Sequence, residues 1–169
     1  MEEEYVYIGK IVNTHGIKGE LRLLSNFKYK NKVFLENRKI YIGDEKKEEM
    51  IKGYRHHKIF EMITLYGYDN INEVLCFLNK NVYVKKNDLD LGEKDYLDED
   101  LINLSVIFNN KEVGHIVAIR QINPKNKIIE AVINDKVTMI PYHDDFIANI
   151  DLVNKKIELN LIEGMIWWR

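Results

Sequence analysis

Short segments rich in β-branched and aromatic residues recur along the chain and restrict the folds available to it. Six precede residue 90, namely 5–12, 20–24, 38–43, 50–55, 59–65 and 81–85. Six more follow residue 95, namely 104–108, 112–122, 127–133, 137–140, 146–150 and 156–159. Such segments are typical of β-strands, and many short strands at this spacing favour barrels or sandwiches. We therefore predict an all-β fold.

One segment has a helical pattern. Asn70 can cap a helix, and Glu73 stands three residues later, which is the spacing of a capping box. The apolar residues that follow repeat at i, i+3, i+4 and i+7, as on one face of a helix. They are Ile71, Val74, Leu75 and Leu78. We predict a single short helix here.

The polar, acidic stretch 88–95 contains Gly92 and separates the two sets of strands. Such stretches are typical of domain boundaries. We therefore expect a first domain at residues 1–90, a linker at 91–95 and a second domain at 96–169.

The charge distribution is uneven although the net charge of the chain is only −2. The stretch from Tyr5 to Lys58 holds 13 Lys or Arg and 6 Asp or Glu, a net charge of +7, whereas residues 93–169 carry a net charge of −4. A basic region of this kind is either a surface that faces phosphate groups or an ordinary solvated surface. The charge alone leaves both interpretations open.

The sequence gives no sign of a metal centre, a cofactor or catalysis. The five histidines lack metal-ligand spacing, and no nucleophile–base arrangement is recognisable. Gly16 and Gly19 match neither a phosphate-binding loop nor a dinucleotide fingerprint, so we interpret them as a structural turn between two strands. The single cysteine, Cys76, excludes an internal disulfide, and we expect it to be a packed apolar side chain.

No long apolar run predicts a transmembrane helix, and the acidic N-terminus does not resemble a signal peptide. We therefore expect a cytoplasmic protein that does not bind membranes.

The sequence of residues 9–22, GKIVNTHGIKGELR, resembles the N-terminal signature of the RimM family of bacterial ribosome maturation factors. Segments of the second half are similar to the closing pattern of the same family and occur in the same order. They are 113–117, 140–142, 150–152, 156–157 and 163–165. The resemblance covers nearly the whole chain.

The resemblance implies two β-barrels: a six-stranded barrel like those of translation factors, with one short helix, and a PRC barrel. It also implies a monomeric, non-catalytic assembly chaperone without a cofactor. Such a protein binds the head of the immature 30S subunit through small-subunit ribosomal protein nineteen and nearby 16S rRNA, and it promotes rRNA processing.

We expect contacts with the ribosome or its RNA from basic side chains of the first domain, which are His15, Lys18, Arg22, Lys28, Lys30, Arg55, His56 and Lys58. Contact with the ribosomal protein is expected from Tyr96 and Leu97, where the family usually has two aromatic residues. The family's Leu-Ile-Gly motif reads Leu101-Ile102-Asn103 here. The aromatic pair Trp167-Trp168 either anchors a partner or packs one domain on the other.

Two other functions remain open at this point. The chain could be a protein-interaction module that does not contact RNA. It could also be a flavin- or nucleotide-using enzyme on a similar barrel, although such an enzyme needs a phosphate cradle that the sequence lacks.

Overall fold

All six strand segments of the first half form strands, and these close into a barrel. The computed structural model describes residues 3–161. The strands are β1 (Tyr5–His15), β2 (Glu20–Leu24), β3 (Lys39–Ile42), β4 (Lys47–His57), β5 (Phe60–Leu65) and β6 (Asn81–Lys85). Around the barrel they lie in the order β1-β2-β5-β4-β3-β6. The predicted six-stranded barrel is confirmed.

The alternation of side chains along the strands separates an apolar interior from a polar outside. On β2, Leu21 and Leu23 are fully buried in the barrel core, whereas Glu20 and Arg22 between and beside them face outward. The strands β1 and β4 are each 11 residues long and pair with two neighbours, and β-bulges interrupt the register of both. Bulges bend a strand and allow the sheet to close.

The predicted capped helix exists but is shorter than its pattern suggested. It consists of one α-turn, α2 (Ile71–Val74), which continues as a 3₁₀-turn, Leu75–Phe77. The backbone N–H of Glu73 donates to Asn70 Oδ1 at 3.2 Å, as expected of the cap. Because a 3₁₀-turn repeats every three residues, Val74 and Phe77 point into the core.

The predicted apolar face is therefore wrong at Leu75, which is 46% exposed. Cys76 is also exposed, contrary to the expectation that it is packed. A second helix, α1 (Lys30–Val33), was not predicted, because four residues are too few to show a helical repeat.

The second half forms one six-stranded sheet, with all six predicted strands confirmed. They are β7 (Ser105–Phe108), β8 (Lys111–Asn123), β9 (Asn126–Ile133), β10 (Lys136–Pro141), β11 (Ile147–Asp151) and β12 (Lys156–Leu159). Their order is β10-β9-β8-β7-β12-β11, and only the β7–β12 pair is parallel among these described strands. The sheet encloses its own apolar core.

The chain thus divides into two units, residues 1–90 and 91–169, each with its own core. None of the helices formed by residues 3–161 has the length and apolar character that a bilayer-spanning helix requires.

Gly114 on β8 allows the neighbouring strand to approach closely. A Cβ atom at this position would lie 1.7 Å from the carbonyl oxygen of Val132, a backbone atom that cannot turn away. We predict that Gly114→Ala destabilises the second unit by about 3 kcal/mol, because the β8–β9 ladder must shift. Denaturant unfolding followed by circular dichroism measures this.

The matched control is Gly92→Ala, since the nearest atom to a Cβ there is Asp95 Oδ2, at an ordinary 3.4 Å. Equal unfolding midpoints for the two variants would show that the ladder tolerates a side chain at Gly114.

Candidate nucleic-acid interface

The turn between β1 and β2 is built by its two glycines. Gly16 and Gly19 have φ angles of 70° and 88°, a region that favours glycine. Gly19 is buried against the backbone of Asn70, and the N–H of Ile71 donates to the carbonyl of Ile17 at 2.9 Å. The turn is therefore fixed to the start of α2, while the side chain of Lys18 lies exposed on it.

Next to this turn, the outer sides of β1, β2, β4 and β5 bring together several basic side chains. The His15 and His57 rings are 6.2 Å apart, and Arg22 Nη2 is 2.6 Å from His15 Nδ1. The guanidinium of Arg22 also lies 5.4 Å from the centre of the Phe60 ring. We call this surface the basic face; its cationic or titratable members are His15, Arg22, Arg55, His57 and Lys58.

Arg22 is a member of the basic face that no anion within the described part of the chain neutralises. Within residues 3–161 it has no carboxylate partner, and its Nε is buried without a hydrogen-bond partner. Because arginine only donates, His15 Nδ1 accepts from Arg22, which requires the tautomer with its proton on Nε2. The guanidinium is thus held by a neutral histidine and an aromatic ring, and its charge stays available for an anion.

Arg55, by contrast, already has an anionic partner. Its Nε and Nη2 donate to the two carboxylate oxygens of Glu20 at 2.9 and 2.8 Å. This hydrogen bonding lowers the pKa of Glu20, although partial burial opposes the shift. Arg55 therefore contributes less net positive charge than its position suggests.

The electrostatic field of the basic face is positive at His57. The pKa of His57 is lowered, mainly by burial and then by the positive charges nearby, of which Arg55 and Lys58 have the largest effects. A bound anion would offset this repulsion. The basic face is therefore suited to phosphate groups and not to metal cations.

His56 and Lys30, also expected to contact the ribosome or its RNA, lie away from the basic face, and that contact stays a prediction. Both are engaged with Glu61, which is 1% exposed. His56 Nδ1 lies 2.9 Å from Glu61 Oε1, and Lys30 Nζ lies 3.8 Å from Oε2. The hydroxyl of Tyr54 also donates to Glu61 Oε1, at 2.7 Å, and burial together with this bond raises the pKa of Tyr54.

His56 points away from the basic face because adjacent residues of a strand point to opposite sides. Arg55 and His57 face outward, so His56 between them faces the Glu61 side. His57 and Phe60 were not among the contacts predicted from the sequence. Nothing in the sequence shows which of two adjacent histidines faces outward, because that depends on the position of the bulge in the strand.

Of the remaining predicted contacts, Lys18 and Lys28 lie outside the basic face, and Lys58 lies at its edge. Lys18 is exposed in the β1–β2 turn, and Lys28 is exposed with its ammonium 5.7 Å from the centre of the Tyr29 ring. Lys58, at the tip of the β4–β5 hairpin, has a φ angle of 56°.

The two residues expected to contact the ribosomal protein, Tyr96 and Leu97, differ in their exposure. Leu97 is only 6% exposed, because it packs at the start of a 3₁₀-turn, Asp98–Leu101, and its N–H donates to Asp100 Oδ2 at 2.9 Å. Its side chain is therefore not a surface anchor. Tyr96 is half-buried against the core of the second unit.

Asn103, which replaces the glycine of the family motif, has a φ angle of 70°. Asparagine is among the few non-glycine residues that adopt this conformation readily, so it suits a position where a glycine was expected. Trp167-Trp168 and the 163–165 segment lie outside the described residues. Among residues 3–161, no group of three or more His, Cys, Asp or Glu side chains is arranged to hold a metal ion.

Comparison with known proteins places both units in related families. Residues 6–89 match the RimM N-terminal domain, and residues 98–165 match the RimM PRC barrel domain. The expected second domain type is thereby confirmed.

Relatives of similar length align with nearly the whole chain. The ribosome maturation factor RimM of Exiguobacterium sibiricum is 33% identical over 180 residues, covering 96% of this chain and 98% of that protein. The RimM of Staphylococcus haemolyticus is 32% identical over 166 residues, covering 95% and 98%. The solution structure of the N-terminal domain of RimM from Thermus thermophilus is 19% identical, with a TM-score of 0.45, and covers 52% of this chain and 96% of that one.

The buried Glu61 of β5 contacts His56 of β4 and Lys30 of α1, so its charge should contribute to stability. Glu61→Gln keeps the shape of the side chain but removes the negative charge that faces Lys30 and His56. We expect a loss of about 1–3 kcal/mol in the free energy of unfolding, because buried polar partners are left imperfectly satisfied. Urea unfolding of both proteins measures it.

Glu20→Gln is the control, since it removes the same charge from a more exposed ion pair, with Arg55. That substitution should cost about 0–1 kcal/mol. A Glu61 variant no less stable than the Glu20 variant would mean that the buried network does not hold the hairpin.

Proposed function

This chain belongs to the RimM family, and on that premise we propose that it is a ribosome maturation factor. It binds the immature small ribosomal subunit and promotes the processing of 16S ribosomal RNA. In its finer form the proposal is that the chain acts as a monomeric cytoplasmic chaperone on the 30S head, where it contacts small-subunit ribosomal protein nineteen and nearby 16S rRNA.

The observation that carries the RNA contact is the uncompensated guanidinium of Arg22 on the basic face. Its hydrogen bond to neutral His15 and its contact with Phe60 fix the orientation of the group without neutralising it. Guanidinium groups bind phosphate oxygens strongly and with defined geometry. The exposed ammonium groups of Lys18 and Lys58 add positive charge beside it. Such contacts release counterions, so binding should depend on salt.

The second unit supports contact with a protein instead. Residues 93–169 have a net charge of −4, which is complementary to a basic ribosomal protein and would speed its approach. Because Leu97 is buried, we assign the aromatic part of this contact to Tyr96 alone.

The proposed mechanism needs no covalent step. A bound protein favours one arrangement of the subunit head only to the extent that it binds that arrangement more tightly than the others. A tenfold preference for the immature particle corresponds to about 1.4 kcal/mol.

This mechanism predicts unequal binding to two kinds of particle. The chain should co-sediment at least about tenfold more with immature 30S particles than with mature 30S subunits at equal concentration. Gradient centrifugation followed by quantitative blotting measures the bound fraction. Equal binding to both particles would falsify the maturation role, since such a ligand shifts no equilibrium.

Charge reversal separates RNA binding from binding to protein alone. We expect Lys18→Glu and Arg22→Glu, each made singly, to weaken binding to immature 30S particles. Each should also reduce the slope of log affinity against log salt by about one. Lys111→Glu is the matched control, because it reverses an exposed lysine at the start of β8 in the second unit.

Binding at two salt concentrations gives the answer. If the Lys18 and Arg22 variants both bind like the control, the chain is a protein-interaction module that does not use the basic face or the adjoining turn for RNA. A nucleotide- or flavin-using enzyme would instead reveal itself by a thermal shift with its cofactor, measured on the intact chain.

A further inference from the structure

The outer side of β1, β6 and β3 carries a row of tyrosines that the proposed function does not use. Tyr7 pairs with Tyr83 across β1 and β6, and Tyr83 pairs with Tyr41 across β6 and β3. Cross-strand partners point to the same side of a sheet, so the three rings lie on the outer side of the barrel. Tyr7 and Tyr83 are partly exposed, whereas Tyr41 is only 3% exposed. We call Tyr7, Tyr83 and Tyr41 the tyrosine row.

The rings of the row meet neighbours by their edges. Tyr7 and Tyr83 are 6.0 Å apart at 72°, and Tyr41 meets Tyr5 at 5.3 Å and 68°. Edge-to-face packing leaves ring faces that are not covered by another ring. Lysines cover them instead: Lys46 Nζ lies 4.1 Å from the centre of the Tyr83 ring, and Lys85 Nζ lies 5.0 Å from that of Tyr41.

A cavity of about 460 Å³ adjoins the end of the row. Tyr41 and Lys85 line it together with Lys39 and Met50. Cavities of this size accommodate small organic molecules. The surface therefore combines aromatic faces, ammonium groups and a recess beside them.

We propose that the tyrosine row binds unpaired nucleotides of RNA, with bases stacked on the partly exposed rings of Tyr7 and Tyr83 and with Lys46 and Lys85 turned to the phosphates. Single-stranded nucleic acids are bound in this way, by aromatic side chains interleaved with cations. The inference rests on the proposed function in taking RNA as the ligand. It uses a different surface from the basic face, and no residue is shared.

The exchange of a lysine for a base on a ring face is favourable. Base stacking on an aromatic side chain contributes at least as much to binding as an ammonium–ring contact at a protein surface does. The displaced ammonium group gains a new partner, because it can pair with the phosphate next to the stacked base. Lys85 must also leave Glu3, 2.9 Å away, but Glu3 is 52% exposed, so solvent weakens this ion pair.

The test compares two labelled oligonucleotides of equal length and charge, an oligouridylate and an oligomer without bases. Fluorescence anisotropy with the full chain should show the oligouridylate bound about fivefold or more tightly. Tyr83→Leu should abolish this preference, and Tyr83→Phe, which keeps the ring, should retain it. Lys46→Ala should keep the preference while lowering the salt dependence.

Equal binding of the two oligonucleotides by the unmodified chain overturns the inference, and so does an unchanged preference in Tyr83→Leu. If Tyr83→Leu does not fold by circular dichroism, Tyr7→Leu replaces it with the same expectation. Arg22→Glu should weaken both oligonucleotides without changing their ratio.

These outcomes separate this inference from the proposed function. A base preference that depends on Tyr83, found together with equal binding to immature and mature 30S particles, rejects the proposed function alone. Tighter binding to immature particles, found without any base preference, rejects RNA binding by the tyrosine row alone and leaves the row a packing surface.

Discussion

The β-bulge between Ile51 and Gly53 determines which side chains of the β4–β5 hairpin reach the surface. Ile51 points into the core opposite Leu65, and strict alternation would turn Arg55 and His57 inward as well. The extra residue reverses the alternation. Arg55 and His57 consequently face outward, and His56 turns to the buried Glu61.

The Glu61 network and the basic face depend on each other through this reversal. A carboxylate with 1% exposure is tolerated because Tyr54, His56 and Lys30 surround it. The same contacts hold the β4–β5 hairpin in place, and His57 lies on the other side of that hairpin. On that side Arg22 keeps a buried Nε without a partner, a locally unfavourable arrangement of the kind that proteins retain at functional sites.

The sequence predicted the elements of this fold well and the orientation of single residues less well. Every strand was identifiable, because alternation and β-branched composition are local properties. The choice between His56 and His57 was not, because it depends on a bulge that only barrel closure requires. Leu97 was assigned to the surface from a family motif, but a 3₁₀-turn buries it. The predicted apolar face of the helix was wrong at Leu75 for a similar reason, since a 3₁₀-turn has a shorter repeat than an α-helix.

The two candidate RNA-binding surfaces differ in what they recognise. Around the barrel, the basic face occupies β1, β2, β5 and β4, and the tyrosine row occupies β1, β6 and β3. Phosphates are present on paired and unpaired RNA alike, so the basic face alone would bind immature and mature subunits with similar affinity. Bases can stack on tyrosines only when they are unpaired. The tyrosine row would therefore add a preference for unpaired RNA, while the basic face supplies attraction that does not depend on the folding of the RNA.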